Sequence, residues 1–283
     1  MFTDVDSWWF FLSIISVINI ILLFSSFVVF YLHKQRIHQK IYKQRQWLLW
    51  CSAVYTLVCA FRAFMPRIDL ERICLVDSGL STVFIGRSVT TVAEILFMVQ
   101  CAILLNEAAR GLGNRFSVTV SQLLVPLIVI AEICSWYAML TTNYLGSVIE
   151  ESIWTLCAIL LVSCFIFLRS SVSRHHRKYL TSMILFGAGF IVFMITVDVP
   201  MYWVRWQEDS AAGIQYFTAM PGLVDSIQRC NINTDITVWR DEIPWMTLYF
   251  SVAVWASISM PHAPYYKTYR KRKKKKSAFK KKG

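Results

Sequence analysis

WWFFLSIISVINIILLFSSFVVFYL, residues 8–32, decides the fold. The run is uncharged throughout and is long enough to carry a helix across about 30 Å of hydrocarbon at 1.5 Å per residue. Its flanks orient it. Residues 1–7 carry Asp4 and Asp6 and no Lys or Arg, whereas residues 33–45 carry Lys34, Arg36, Lys40, Lys43 and Arg45. A cleaved secretory leader has the opposite flank charge and a shorter apolar core. An uncleaved first helix is expected, with its N-terminus outside and the basic loop in the cytosol.

Six further blocks repeat the pattern, at 47–64, 84–105, 118–141, 152–168, 179–206 and 243–260. The chain of 283 residues is 56% hydrophobic and 16% charged, against about 25% charged in a soluble protein. No stretch between blocks is long enough for an independent soluble domain. The expectation is an all-α integral membrane protein, a seven-transmembrane-helix bundle over residues 1–260 with a polybasic cytosolic tail over 261–283. The fifth and seventh blocks are the shortest, and six helices is the fallback count.

Charge tests this topology independently of hydropathy. Of the 29 Lys and Arg, 22 fall in the segments placed inside, 33–46, 106–117, 169–178 and 261–283. The segments placed outside, 1–7, 65–83, 142–151 and 207–242, hold only Arg67, Arg72, Arg229 and Arg240, the asymmetry of positive-inside topology. Aromatic residues cluster at both expected boundaries, with Trp8, Trp9, Trp136, Trp203 and Trp206 outside and Trp47, Trp50 and Tyr179 inside. Such rings favour the interface because one end is apolar and the other can hydrogen-bond.

Ionisable groups inside the spans are the candidates for function, because hydrocarbon makes them costly. Arg62 and Arg205 lie near helix ends and are expected to reach the interface. Arg87 and Glu94 are seven residues apart on the third helix and share a face. Glu132 and Asp198 fall in the outer halves of their helices, with Tyr202 and Trp203 a turn further out and Pro200 positioned to kink the chain. Two readings stand. Arg87, Glu94, Glu132, Asp198 and Tyr202 line an outward-facing polar pocket, or the charges pair to fix helix register. Carboxylates outnumber Arg87, so the pocket reading implies a small cationic or zwitterionic ligand, or protons. The long outer segment 207–242 is the candidate lid.

Six of the eight Cys fall in spans and read as small packing residues. Cys74 and Cys230 fall in outer segments, where the oxidising face permits a disulfide between them. All five His are at or beyond the inner edge, and no C-x-x-C pair occurs. No catalytic residue, metal site or cofactor is therefore expected. In the tail, Lys271, Arg272, Lys273, Lys274, Lys275 and Lys276 are candidates to contact anionic headgroups, at about 1 kcal/mol per charge. The expected partners are the bilayer itself and that anionic lipid, with no nucleic acid. A cell membrane is expected; Lys280 and Lys281 also resemble a dilysine signal, which keeps the endoplasmic reticulum as the alternative.

Seven helices alone do not name a function. The third helix ends in Asn106-Glu107-Ala108-Ala109-Arg110, without the acidic-Arg-aromatic triplet of rhodopsin-like receptors. The seventh holds no Lys for a retinal Schiff base. The expectation is a receptor-like or transporter-like small-ligand binder. A membrane scaffold acting through its helices and tail, and a lipid-modifying enzyme, are the alternatives.

Overall fold

The computed structural model describes residues 4–34, 39–228 and 230–265. The lipid-contact candidates Lys271, Arg272, Lys273, Lys274, Lys275 and Lys276, the Lys280–Lys282 end, and His38 lie outside the described residues.

Seven helices are long and apolar enough to cross a membrane. The first five are α1 (Val5–Leu32), α2 (Gln39–Phe64), α3 (Val83–Leu112), α4 (Arg115–Thr141) and α5 (Tyr144–Arg169). The sixth span joins α6 (Arg174–Phe193) to α7 (Val199–Ala212) through a π turn at Met194–Asp198. Between the sixth and seventh spans lie the short helices α8 (Ala219–Ile227) and α9 (Ile236–Trp239). The seventh span joins α10 (Ile243–Leu248) to α11 (Val254–Ser259) through a second π turn at Tyr249–Ala253.

Local chemistry sets the helix ends. Asp4 caps α1 by accepting from the Ser7 amide at 2.7 Å. Gly113, in the left-handed region at φ 73°, ends α3, and the next residue, Asn114, caps α4 through the Ser117 amide. Thr142 and Asn143 make an equally short link between α4 and α5. Such links force antiparallel neighbours, and the packing runs α5–α4–α3–α2 in sequence. The seventh span packs on α2 and α1, while the sixth packs on α5.

The faces left over are apolar. Phe10, Ile21, Phe24 and Val28 on α1, and Leu185, Val192 and Ile195 on the sixth span, are all exposed. In water such a surface would drive association. Lipid tails would cover it without penalty, and the helices satisfy their own backbone groups.

A small cap closes the end of the bundle that carries the loops before α3 and after α7. Strands β1 (Arg67–Ile68), β2 (Ile73–Cys74) and β3 (Asn231–Ile232) form one sheet in the order β1-β2-β3, the first pair antiparallel and the second parallel. Cys74 and Cys230 are joined by a disulfide across this sheet, with Cα atoms 5.8 Å apart. Arg72 donates to Asp225 at 2.6 Å, tying the β1–β2 turn to α8. Gly222 of α8 lies so close to α4 that a Cβ there would stand 1.6 Å from the Leu140 carbonyl oxygen. The segment after α7 is thus stapled down, which does not suit a freely swinging lid.

Several boundaries differ from the sequence reading. The fifth span begins at Tyr144, so Glu150 and Glu151 sit inside a helix and not in an outer segment. Their charge hid the first two turns, because hydropathy penalises a carboxylate whatever it faces. Trp8 is fully buried against Trp239, ring centroids 5.8 Å apart, and does not belong to an interfacial belt. Its indole N–H donates to the Thr247 hydroxyl at 3.0 Å, a partner supplied by the seventh span.

Candidate functional site

Beneath the cap, one guanidinium collects three carboxylates from three helices. Arg87 Nη2 donates to Glu132 Oε2 of α4 at 3.0 Å, to Glu150 Oε1 of α5 at 3.0 Å and to Glu94 Oε2 of its own helix at 3.3 Å. All four residues are buried. One oxygen from each carboxylate lies within 4.8 Å of the others. Glu132 Oε1 is buried with no hydrogen-bond partner, and so is Arg87 Nε.

The surroundings hold these groups in place. Thr91 donates its hydroxyl to Glu132 Oε2 at 2.6 Å, and the Trp136 indole donates to Thr91 at 3.0 Å. Tyr249 donates its hydroxyl to Glu94 Oε1 at 3.1 Å. Tyr249 is the first residue of the second π turn, which rotates the chain by part of a turn relative to a regular helix. The backbone carbonyl of Phe250 in that turn accepts from Asn19 Nδ2 at 2.7 Å, so α1 braces the distortion. Asp198 is the last residue of the first π turn, and its carboxyl meets that of Glu151. Both irregular turns therefore aim a polar side chain at the same region, with Pro200 just beyond the first.

Arginine from the cap completes the ring. Arg67 is buried, and its Nε donates to Asp69 Oδ1 at 3.0 Å. Burial pushes its pKa down to about 10 against the pull of Asp69, so it stays cationic at neutral pH. Burial alone would raise the Asp69 carboxyl, but Arg62, Arg67 and Arg87 outweigh it and hold the pKa below the usual value. Gly86 makes room for Arg67, since a Cβ there would stand 1.2 Å from its Nη2. On the far side Arg205 donates to Glu242 at 2.7 Å and lies 3.4 Å from Glu71.

Together these groups enclose a cavity of about 70 Å³, lined by Arg87, Glu94, Glu150, Glu151, Tyr202 and Arg205 among others. That is room for a few waters or one small ion, well below the 300–1,000 Å³ of a pocket for a whole organic ligand. Five carboxyl groups line the cavity (Asp69, Glu94, Glu150, Glu151 and Glu242), together with Arg62, Arg67, Arg87 and Arg205, and Glu132 reaches it through Arg87. The arrangement is a small buried polar site in which carboxyl groups outnumber guanidiniums, and burial favours neutralising the remainder by protons or by another cation.

Of the residues singled out in the sequence, Arg87, Glu94 and Glu132 meet directly. Tyr202 lines the cavity and stacks near Tyr144, centroids 6.3 Å apart. Asp198 stands apart from Arg87, in contact with Glu151. Arg62 does not reach an interface: it is buried and donates to Thr90 at 3.1 Å. Trp203 is half-exposed on the outer face and pairs with Trp206, so it is not at the cavity mouth. Glu150, Glu151, Arg67, Asp69 and Tyr249 join the site unannounced. Glu150 recurs seven residues before Cys157 on a buried stripe of α5, a periodicity that offered a signal.

No family model, curated protein or solved structure matches the chain.

Proposed function

We propose that this chain is a multi-pass membrane protein that binds a small cationic group at the Arg87 cluster, in the manner of a receptor or a transporter. The convergence of Glu94, Glu132 and Glu150 on one guanidinium carries the reading. One guanidinium does not neutralise three ionised carboxylates within 4.8 Å, and in a low-dielectric interior the balance is made up by protons or by a second cation. Arg87 acts as a resident counter-ion with which an arriving cation shares the carboxylates. The positive-inside charge pattern and the disulfide support a cap on the non-cytosolic face, with the site turned outward.

Thermal unfolding of the purified protein, titrated with methylammonium and with sodium, tests the proposal. A ligand of the native state stabilises it by about 2.7 kcal/mol at a hundred times Kd. The wild type is expected to gain stability with at least one of these cations, and Glu150→Gln to lose most of that gain while still folding. An unchanged titration in the variant would show that the cluster only pins the helices together.

A further inference from the structure

The Arg87 cluster is arranged around a point. A guanidinium carries its N–H donors in a planar fork and usually grips a carboxylate with two of them. Arg87 does not. Its contacts to Glu94, Glu132 and Glu150 all leave from one nitrogen, Nη2, at 3.3, 3.0 and 3.0 Å. That nitrogen has fewer hydrogens than acceptors, while the buried Nε has no hydrogen-bond partner. The carboxylates surround a sphere, and the fork fits them poorly.

The dimensions are those of a spherical ion. One oxygen from each of the three carboxylates lies within 4.8 Å of the others. Oxygens bound to Ca²⁺ stand about 2.3–2.6 Å from it, so they lie up to about 5 Å apart across the ion. Closing from 3.0 Å takes about 0.5 Å for Ca²⁺ and about 1 Å for Mg²⁺. The ligand atoms offered are all oxygen, which suits a hard cation better than zinc or copper. Glu132 is 3% exposed, and its Oε1 has no hydrogen-bond partner. That oxygen is a ligand atom already desolvated and unused.

Charge selects the valence. Three ionised carboxylates and one guanidinium leave two negative charges. A divalent ion cancels both, and a monovalent ion cancels one.

Nη2 now stands where that ion would sit, so the guanidinium has to give way. A second set of carboxyls is at hand. Glu151 follows Glu150 on α5, lines the same cavity as Arg87, and meets the carboxyl of Asp198. The cavity of about 70 Å³ that Arg87 and Glu151 both line gives the guanidinium room to turn from one set to the other.

We infer that the cluster is a seat for Ca²⁺ in which Arg87 is the resident occupant. The ion binds among Glu94, Glu132 and Glu150, and the displaced guanidinium moves to Glu151 and Asp198. This rests on the cation-site reading above and adds the class of ion and the exchange.

The test is equilibrium dialysis of the purified full chain against radioactive Ca²⁺, after chelation, with Mg²⁺ as competitor. The wild type is expected to bind one ion per chain, and equal Mg²⁺ to leave it in place. Glu132→Gln removes a ligand and is expected to weaken binding at least about tenfold; Glu94→Gln serves should that variant not fold. Arg87→Met removes the competitor and is expected to tighten Ca²⁺ about tenfold, whereas Glu151→Gln removes the second set and is expected to weaken it several-fold. If the wild type responds to sodium or methylammonium but binds no Ca²⁺, or if Glu132→Gln and Glu94→Gln bind it as the wild type does, the inference is overturned and the cation reading stands. If Arg87→Met binds no tighter, the exchange is overturned. If no cation of any kind binds, protons alone neutralise the cluster and both readings fall.

Discussion

Replacing Arg87 by Met tests the electrostatic heart of the site. The substitution keeps most of the side-chain volume and removes the charge. Two carboxylates 4.8 Å apart repel by about 3.5 kcal/mol at an effective permittivity near 20, so three of them repel by about 10 kcal/mol. Arg87 at 3.0, 3.0 and 3.3 Å returns about 5 kcal/mol for each contact on the same scale. The intact cluster is therefore favourable by several kcal/mol before desolvation, and the cluster without Arg87 is strongly unfavourable. Much of that imbalance is relieved by uptake of protons or cations, so the expected loss is about 3–5 kcal/mol, the usual result of stripping one partner from a buried pair. The sign of a second change is more telling than the size of the first. Adding Glu94→Gln and Glu150→Gln to Arg87→Met leaves one carboxylate and is expected to recover at least half of the loss. Unfolding of the three proteins in one detergent, followed by intrinsic tryptophan fluorescence, provides the comparison. If Arg87→Met melts like the wild type, or if the Gln substitutions deepen the loss, the guanidinium does not neutralise this cluster.

Asp69→Asn leaves the buried Arg67 and Arg62 without their shared carboxylate and is expected to cost about 3 kcal/mol, read as a lower unfolding midpoint. The depressed pKa of Asp69 has a pH consequence of defined sign. Its stabilisation is fully present above its unfolded value near 4 and is lost as pH falls through its lower folded value, so the midpoint difference between wild type and Asp69→Asn is expected to shrink in acid. Gly222→Ala drives a methyl group against the Leu140 carbonyl and is expected to loosen α8 from α4, seen as faster proteolysis between 213 and 235 with the membrane helices intact. Cys74→Ser with Cys230→Ser opens a link spanning 156 residues and is expected to cost about 2–4 kcal/mol, together with loss of a mobility shift on non-reducing gels.

Much of the architecture is legible in local pattern. A run such as 8–32 has one way to satisfy its backbone in hydrocarbon, so seven such runs specify seven helices. Charge between the runs was equally legible, because it depends on composition and not on contact. Glu150 shows where local pattern misleads. In sequence it reads as the polar edge of a short span; in the fold it lies inside α5 and faces Arg87. Arg62 misleads in the same way, since nothing near it in the chain announces Thr90 or Asp69.

The anomaly itself, charge inside the spans, was determined by the sequence: Arg87, Glu94, Glu132 and Asp198 are in the wrong solvent wherever they point. Which of them meet was decided only by the tertiary structure. Helix rotation brings Glu132 and Glu150 onto Arg87, and one π turn delivers Tyr249 to Glu94 while the other sends Asp198 to Glu151. The physical reason is that hydropathy measures the cost of leaving water, which each residue carries alone, whereas compensation of that cost is a property of pairs. Pairs form between helices whose mutual rotation no single helix encodes.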